Sequence, residues 1–349
     1  MAYYKQLFLF LTILLLPINN IPAQTNKINQ IDSLMKRSNQ TGAFNGNVLV
    51  SKNKKIIYNA SFGFTDAKKT KKLTPDYRFH IGSITKEFSG VVLMQLQEQG
   101  KLKIEDHVSK YIPELPKWAN EVTIKDLLQY TSGIPDVNWK KIKNDKDLFD
   151  GLQLVDSLDF KPGTKYDYKI YNLFLRQFIV ERLAGMSFKT YVEKFIFKPC
   201  KMNSSIMTPF ENEKNIARGF NNDLVADKED LPITGATYLT AKDLQKWSDC
   251  LNSNKIMSAS SLFELGQHYD LPETESALGQ AKYMNRKLVK HLHDGRAGSY
   301  EALLVSDVNE KFTIILLGNN HNGKLFEISD AITAILKNEK HSFHQKNNP

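Results

Sequence analysis

The sequence predicts an α+β fold. It implies one antiparallel sheet built from both chain ends and flanked by helices, with a mostly helical subdomain of about residues 101–230 inserted between them. Three observations carry this. Apolar runs joined by polar turns lie near both ends of the chain. Helical apolar spacing marks the segments outside those runs. The middle holds short apolar stripes that end in glycine-containing turns.

The elements follow in order. Lys5 precedes LFLFLTILLL, residues 7–16, and Pro17 then breaks the run ahead of the small residue Ala23. This is the plan of a secretory signal peptide, too short to span a bilayer, so residues 1–23 read as a leader of an exported, periplasmic or secreted protein. Residues 24–340 then form a single domain, and 341–349 a polar tail. NKINQIDSLMKRSN places Ile28, Ile31, Leu34 and Met35 on one helix face. GNVLVSKNKKIIYNASFGF reads as two strands around an SKNKK turn. A helix after Ser83 buries Ile84, Phe88, Val91, Val92 and Leu96 and stops at Gly100. VTIKDLLQYTSGIPD and LFLRQFIVERLAG are short helices with glycine-containing ends. YEALLVSDVNEKFTIILLGNN gives two strands about DVNEK, and FEISDAITAILKN is a closing helix with Ile328, Ile332 and Ile335 at helical spacing.

Composition bounds the function. With 349 residues, 41% hydrophobic and 24% charged, the chain is globular in type. Its net charge of +9 suits anionic envelope surfaces. The lysines are scattered, and KKIKNDKDLF and KNEKHSFHQK read as solvated surface and tail, so nucleic acid is not expected as a partner. After the leader is removed, no stable membrane span is expected. Cys200 and Cys250 can pair in an oxidising compartment or remain separate buried thiols; Cys200, within FIFKPCKMNSS, reads as a core thiol. The HLH at 291–293 lacks metal-site context, so no metal is expected.

The chemistry centres on GSITKEF. Ser83 and Lys86 stand three residues apart at a helix start and share a face. A serine hydroxyl needs a base to take its proton. An amine serves if burial and the positive helix end keep it neutral. The first-turn N–H of Ser83 is free to donate to a developing oxyanion.

FHIGSITKEFSG resembles the Ser-x-x-Lys helix of the serine β-lactamase and penicillin-binding protein family, especially its class C β-lactamase, D-alanyl carboxypeptidase and family VIII esterase branch. Further segments match in order: GKLKIEDHVSKYIPELP, VTIKDLLQYTSGIPD with Tyr130 where histidine is usual, PGTKYDYKIYN, TGATYLTAKDLQKW and HDGRAGSYEALL. The resemblance covers nearly all of residues 27 to 337. It implies a β-lactamase/transpeptidase-like fold and an acyl-enzyme on Ser83, with Lys86 and Tyr168 sharing proton transfer. It implies that Gly295 lets substrate approach the strand edge, that Arg296 gives a second oxyanion N–H, and that His293 forms a polar wall near Lys86 and Tyr168. The usual Ser-Asn after the tyrosine is Lys169-Ile170 here, so Asn172 is the candidate substitute. Asp294 stands where Thr or Ser commonly binds a substrate carboxylate, and an acid there repels one unless Arg296 neutralises it. No roles attach to His80 and Tyr130 beyond packing.

The expected activity is hydrolysis of an ester, amide or peptide bond in a small-molecule or peptide substrate, including peptidoglycan-derived ones. D-alanyl-D-alanine carboxypeptidase or β-lactamase action is the alternative within the family. A catalytically weak binding protein is the alternative outside enzymes. Side chains and water suffice for this chemistry, so no cofactor is expected.

Overall fold

The computed structural model describes residues 21–208, 213–228, 236–268, 271, 274–341 and 343. The predicted leader lies outside the described residues except at 21–23, and the predicted tail except at 341 and 343. In chain order the elements are α1 (Ile21–Gln40), β1 (Gly46–Lys52), β2 (Lys55–Phe62), β3 (Phe79–His80), α2 (Thr85–Glu98) and α3 (Ile124–Gln129). Then come α4 (Asp145–Gln153), α5 (Ile170–Ala184), α6 (Phe188–Val192), β4 (Ile206–Met207), β5 (Thr237–Leu239), α7 (Ala241–Asn252) and α8 (Ala259–Leu265). β6 (Gln280–Met284), β7 (Lys287–Ala297), β8 (Tyr300–Asp307), β9 (Phe312–Gly318) and α9 (Leu325–Lys337) complete the chain.

Both chain ends build one six-stranded antiparallel sheet in the order β2-β1-β9-β8-β7-β6. The join is β1 against β9, with Val48 opposite Leu316. Strand alternation sorts the core into two layers. Val48, Val50, Leu303, Ile314 and Leu316 face α1 and α9, where Ile31, Met35, Ile328 and Ile332 cover them. Leu49, Ala302, Leu304, Ile315 and Leu317 face the helical region, including Ile84, Phe88 and Val91 of the α2 segment. The β1–β2 turn uses Asn53 and Lys54, both in the left-handed region, as a tight two-residue hairpin requires. Among the described residues, no helix is long and apolar enough to cross a membrane.

Several expectations need correction. The helical region does not stop near 230; it runs on through α7 and α8 to Leu265. It also carries a small sheet, β3-β5-β4, whose two- and three-residue strands are too short to show a period. β6 went unread because QAKYM alternates between exposed and half-buried positions and offers no apolar run. Cys200 is not a free core thiol: it pairs with Cys250 across 50 residues, with their Cα atoms 5.8 Å apart. That approach suits a disulfide and depends on how α7 docks, which local sequence does not encode.

Candidate active site

The site begins at the turn between β3 and α2. Gly82–Ile84 form a single 3-10 turn before the α-helix. Gly82 has φ +54°, and a Cβ there would lie 2.3 Å from the Arg296 nitrogen, so no other residue fits without moving backbone. Its N–H donates to His80 Nδ1 at 2.8 Å. That nitrogen accepts only when unprotonated, and burial lowers the His80 pKa to about 4. The ring packs against Tyr238 and Tyr300, at 5.0 and 5.9 Å between centroids. His80 thus braces the turn, a role beyond the packing expected of it.

β7 meets this turn backbone to backbone. A Cβ on Gly295 would lie 1.9 Å from the Ile81 carbonyl oxygen and 2.9 Å from the Ser83 nitrogen. Gly295 therefore admits the chain's own Ser83 turn, where the resemblance implied substrate. Ala297 and Tyr300 flank the two-residue β7–β8 turn as a paired set, so Arg296, one residue back, alternates to the outward-facing N–H position. The Arg296 nitrogen accordingly faces Gly82. Ser83 lies in a first helical turn, where N–H groups lack intrahelical acceptors. The junction therefore brings the Arg296 nitrogen against Gly82, the residue before Ser83.

Lys86 is only 6% exposed. Its amine lies 4.2 Å from the Tyr168 ring centroid and 5.2 Å from that of Tyr130. The two rings stack at 4.7 Å. The Tyr168 hydroxyl is 3.3 Å from Ser83 Oγ. Tyr168, 42% exposed, arrives on a loop pinned to the segment after α3. The pins are Asp159 N–H to the Gly133 carbonyl at 2.8 Å, Gly163 N–H to Thr131 at 2.9 Å and Asp167 N–H to Tyr130 at 2.8 Å. Tyr168 therefore lies against both the Ser83 hydroxyl and the Lys86 amine.

Tyr130 belongs to this cluster. It sits in the left-handed region at φ 57°, an uncommon conformation for an aromatic residue and one that marks functional sites. Its hydroxyl accepts from Nη2 of the fully buried Arg176 on α5, at 2.8 Å. Burial pushes the Tyr130 pKa up, while the Arg176 and Lys86 charges pull against it. Tyr130 sits at the histidine position of its motif, and that position was the available signal.

Asn172 is turned into the protein interior. It is fully buried in the first turn of α5, and its Nδ2 donates to the Lys169 carbonyl at 3.1 Å. The helix starts at Ile170, so position 172 turns inward and ties down its own N-terminus. Lys169 pairs instead with Asp136 at 2.5 Å and Asp167 at 3.6 Å.

His293 is also recast. It points its Nδ1 at Glu87 Oε1, 2.5 Å away, where the resemblance implied a wall beside Lys86. His291 Nε2 lies 2.9 Å from the same oxygen, and Trp247 Nε1 donates to Oε2 at 2.5 Å. Burial pushes the Glu87 carboxyl up, but His291 and His293 outweigh it through charge and hydrogen bonds and hold it at about 2. Burial opposes a charged His291, yet Glu87 raises its pKa. Sequence reasoning missed Glu87 because a carboxylate after Lys86 reads as helix surface until its partners on β7 are seen. Among the described residues, these three offer the one grouping of ligand atoms that converges within 4.8 Å. Here these atoms bond one another in a buried hydrogen-bonded network.

Asp294 and Arg296 occupy the alternate β7 positions and are exposed. Among the described residues they form no ion pair with each other.

The chain is similar to known proteins over most of its length. The family model "Beta-lactamase" matches residues 29–337. PbpX of Bacillus subtilis (strain 168), named for penicillin binding, is 26% identical over 325 residues, covering 90% of this chain and 81% of that protein. A penicillin-binding protein from Bacillus halodurans superposes with TM-score 0.75 at 23% identity, covering 88% of this chain and 99% of that one. A class C β-lactamase gives TM-score 0.77 at 19% identity, covering 95% and 99% respectively. Its sequence match over most of its length, on a sheet-and-helix frame of the same kind, makes the chain a member of the β-lactamase family.

Proposed function

We propose that the protein is an exported serine hydrolase that cleaves an ester, amide or peptide bond through an acyl-enzyme on Ser83. The observation that carries this reading is the Ser83 Oγ to Tyr168 hydroxyl contact of 3.3 Å, with the Lys86 amine against the Tyr168 ring. In the proposed reaction Lys86 and Tyr168 take the Ser83 proton as Oγ attacks the carbonyl carbon. The Ser83 and Arg296 N–H groups stabilise the oxyanion, and the proton passes to the leaving group. Water then hydrolyses the ester.

Family membership favours β-lactams or peptides as substrates. The exposed Asp294 argues for one without a free carboxylate at that point, since like charges repel. Asp294→Thr is accordingly expected to raise turnover of D-alanyl-D-alanine peptides or cephalosporins; unchanged turnover removes the inference. The decisive experiment treats purified protein with a fluorescent penicillin and a fluorophosphonate, alongside Ser83→Ala. Labelling that vanishes in Ser83→Ala supports the activated nucleophile. Folded protein that neither reagent labels favours a binding role instead.

A further inference from the structure

Arg176 is a cation in the protein core. It is fully buried on α5, a helix whose other buried residues include Leu173, Leu175 and Ile179. Its Nη2 donates to the Tyr130 hydroxyl at 2.8 Å, and its guanidinium carbon lies 5.3 Å from the centroid of that ring. Its Nε and Nη1 are buried without a hydrogen-bond partner, and among the described residues no carboxylate pairs with it. A buried charge with unmet donors lowers stability. Its presence calls for a functional account.

The Arg176 bond reaches the nucleophile in two steps. Tyr130 holds the Tyr168 loop at two points: its carbonyl accepts the Asp167 N–H at 2.8 Å, and its ring stacks on Tyr168 with centroids 4.7 Å apart. Tyr168 in turn sets its hydroxyl 3.3 Å from Ser83 Oγ. Tyr130 does this from the left-handed region, at φ 57°. Such a backbone persists only where the surroundings over-determine it. Arg176 grips the one polar atom at the far end of that side chain. Tyr168 itself is exposed, and its ring otherwise meets the Lys86 amine at 4.2 Å. The neighbouring ties, Lys169 to Asp136 and the Tyr171 hydroxyl to the Ile134 carbonyl, fix the start of α5 rather than the Tyr168 ring.

We propose that Arg176 is a positioning residue for the reaction: by holding the Tyr130 hydroxyl it fixes the Tyr130 ring, and through that ring the place of the Tyr168 hydroxyl against Ser83. This rests on the Ser83 reading above. Arg176 acts at second hand, through Tyr130, and not on the reacting atoms. The stability lost by burying it is the other side of the role, a trade of stability against activity.

The test uses the full purified chain, with the rate of fluorophosphonate labelling of Ser83 as the measure of chemistry and thermal unfolding as the measure of stability. Arg176→Met removes the charge and its unmet donors and keeps an unbranched apolar side chain. It is expected to label about 10-fold more slowly, with a Tm equal to or above that of wild type. Tyr130→Phe keeps the ring and strips only the oxygen that Arg176 holds. It is expected to label as slowly, but with a lowered Tm, since Arg176 then loses its hydrogen bond. In the double variant the Tm is expected to recover and labelling to fall no further than in either single variant. A purely structural Arg176 gives a different pattern: Arg176→Met loses stability, and its folded protein labels at the wild-type rate. The proposal is overturned if both single variants label within about fivefold of wild type, or if their losses multiply in the double variant. Should Arg176→Met fail to fold, the labelling rate of Tyr130→Phe decides by the same fivefold limit. Wild-type protein without Ser83-dependent labelling overturns the acyl-enzyme reading, and this inference with it; a labelled wild type with unslowed variants overturns this inference alone.

Discussion

Replacing Gly295 by alanine adds one methyl group at the contact between β7 and the Ser83 turn. The new carbon would start 1.9 Å from the Ile81 carbonyl oxygen, and such contacts essentially never fall below 3.0 Å, so the backbones must part by at least 1.1 Å. The turn has little freedom to yield. On its other side a Cβ at Gly82 would lie only 2.3 Å from the Arg296 nitrogen, and the Gly82 N–H is fixed to His80 at 2.8 Å. A displacement of about 1 Å at reacting groups costs roughly 100-fold in rate. That corresponds to about 2.7 kcal/mol of transition-state stabilisation. Overpacking adds about 1–3 kcal/mol of destabilisation. The assay is the second-order rate of fluorophosphonate labelling, with thermal unfolding measured in parallel. Gly295→Ala is expected to fold with a lowered Tm and to label about 100-fold more slowly. Wild-type labelling with an unchanged Tm would show that the backbone contact does not position the nucleophile.

Two further outcomes follow from the same geometry. His80 has a folded pKa of about 4 against an ordinary value near 6.5. Between these values the unfolded chain binds more protons, so stability rises with pH across that window and the contribution is complete above it. It amounts to at most about 3 kcal/mol. Urea unfolding at pH 5 and pH 7 is expected to show a smaller difference in His80→Gln than in wild type, and equal differences would remove the buried-neutral account. The Cys200–Cys250 bridge closes a loop of 50 residues. Loop-closure entropy assigns such a bridge about 4 kcal/mol. The Cys200→Ser/Cys250→Ser double variant should lose stability of that order in denaturant titrations, with no further loss on adding reductant.

The chain's own order of residues determined a good deal. Apolar runs joined by polar turns at both ends specified the strands of the sheet, and their pairing register then sorts side chains between its two buried faces, as where Val48 lies opposite Leu316. Three-residue spacing specified that Ser83 and Lys86 share a helix face, and motif register brought Tyr168 to them. These are short-range or pattern-level constraints. Packing decided the rest. Glu87 and His293 are 206 residues apart, and a helix-surface carboxylate becomes a buried anion only when β7 lies against α2. Asn172 turned inward because α5 starts at Ile170, a boundary the motif does not record. Tyr130 left its packing role when the stack on Tyr168 and the Arg176 bond captured it. Periodicity reports which face of an element is apolar. The partner a polar group finds on that face depends on which other element docks there, and that choice is made by the fold as a whole.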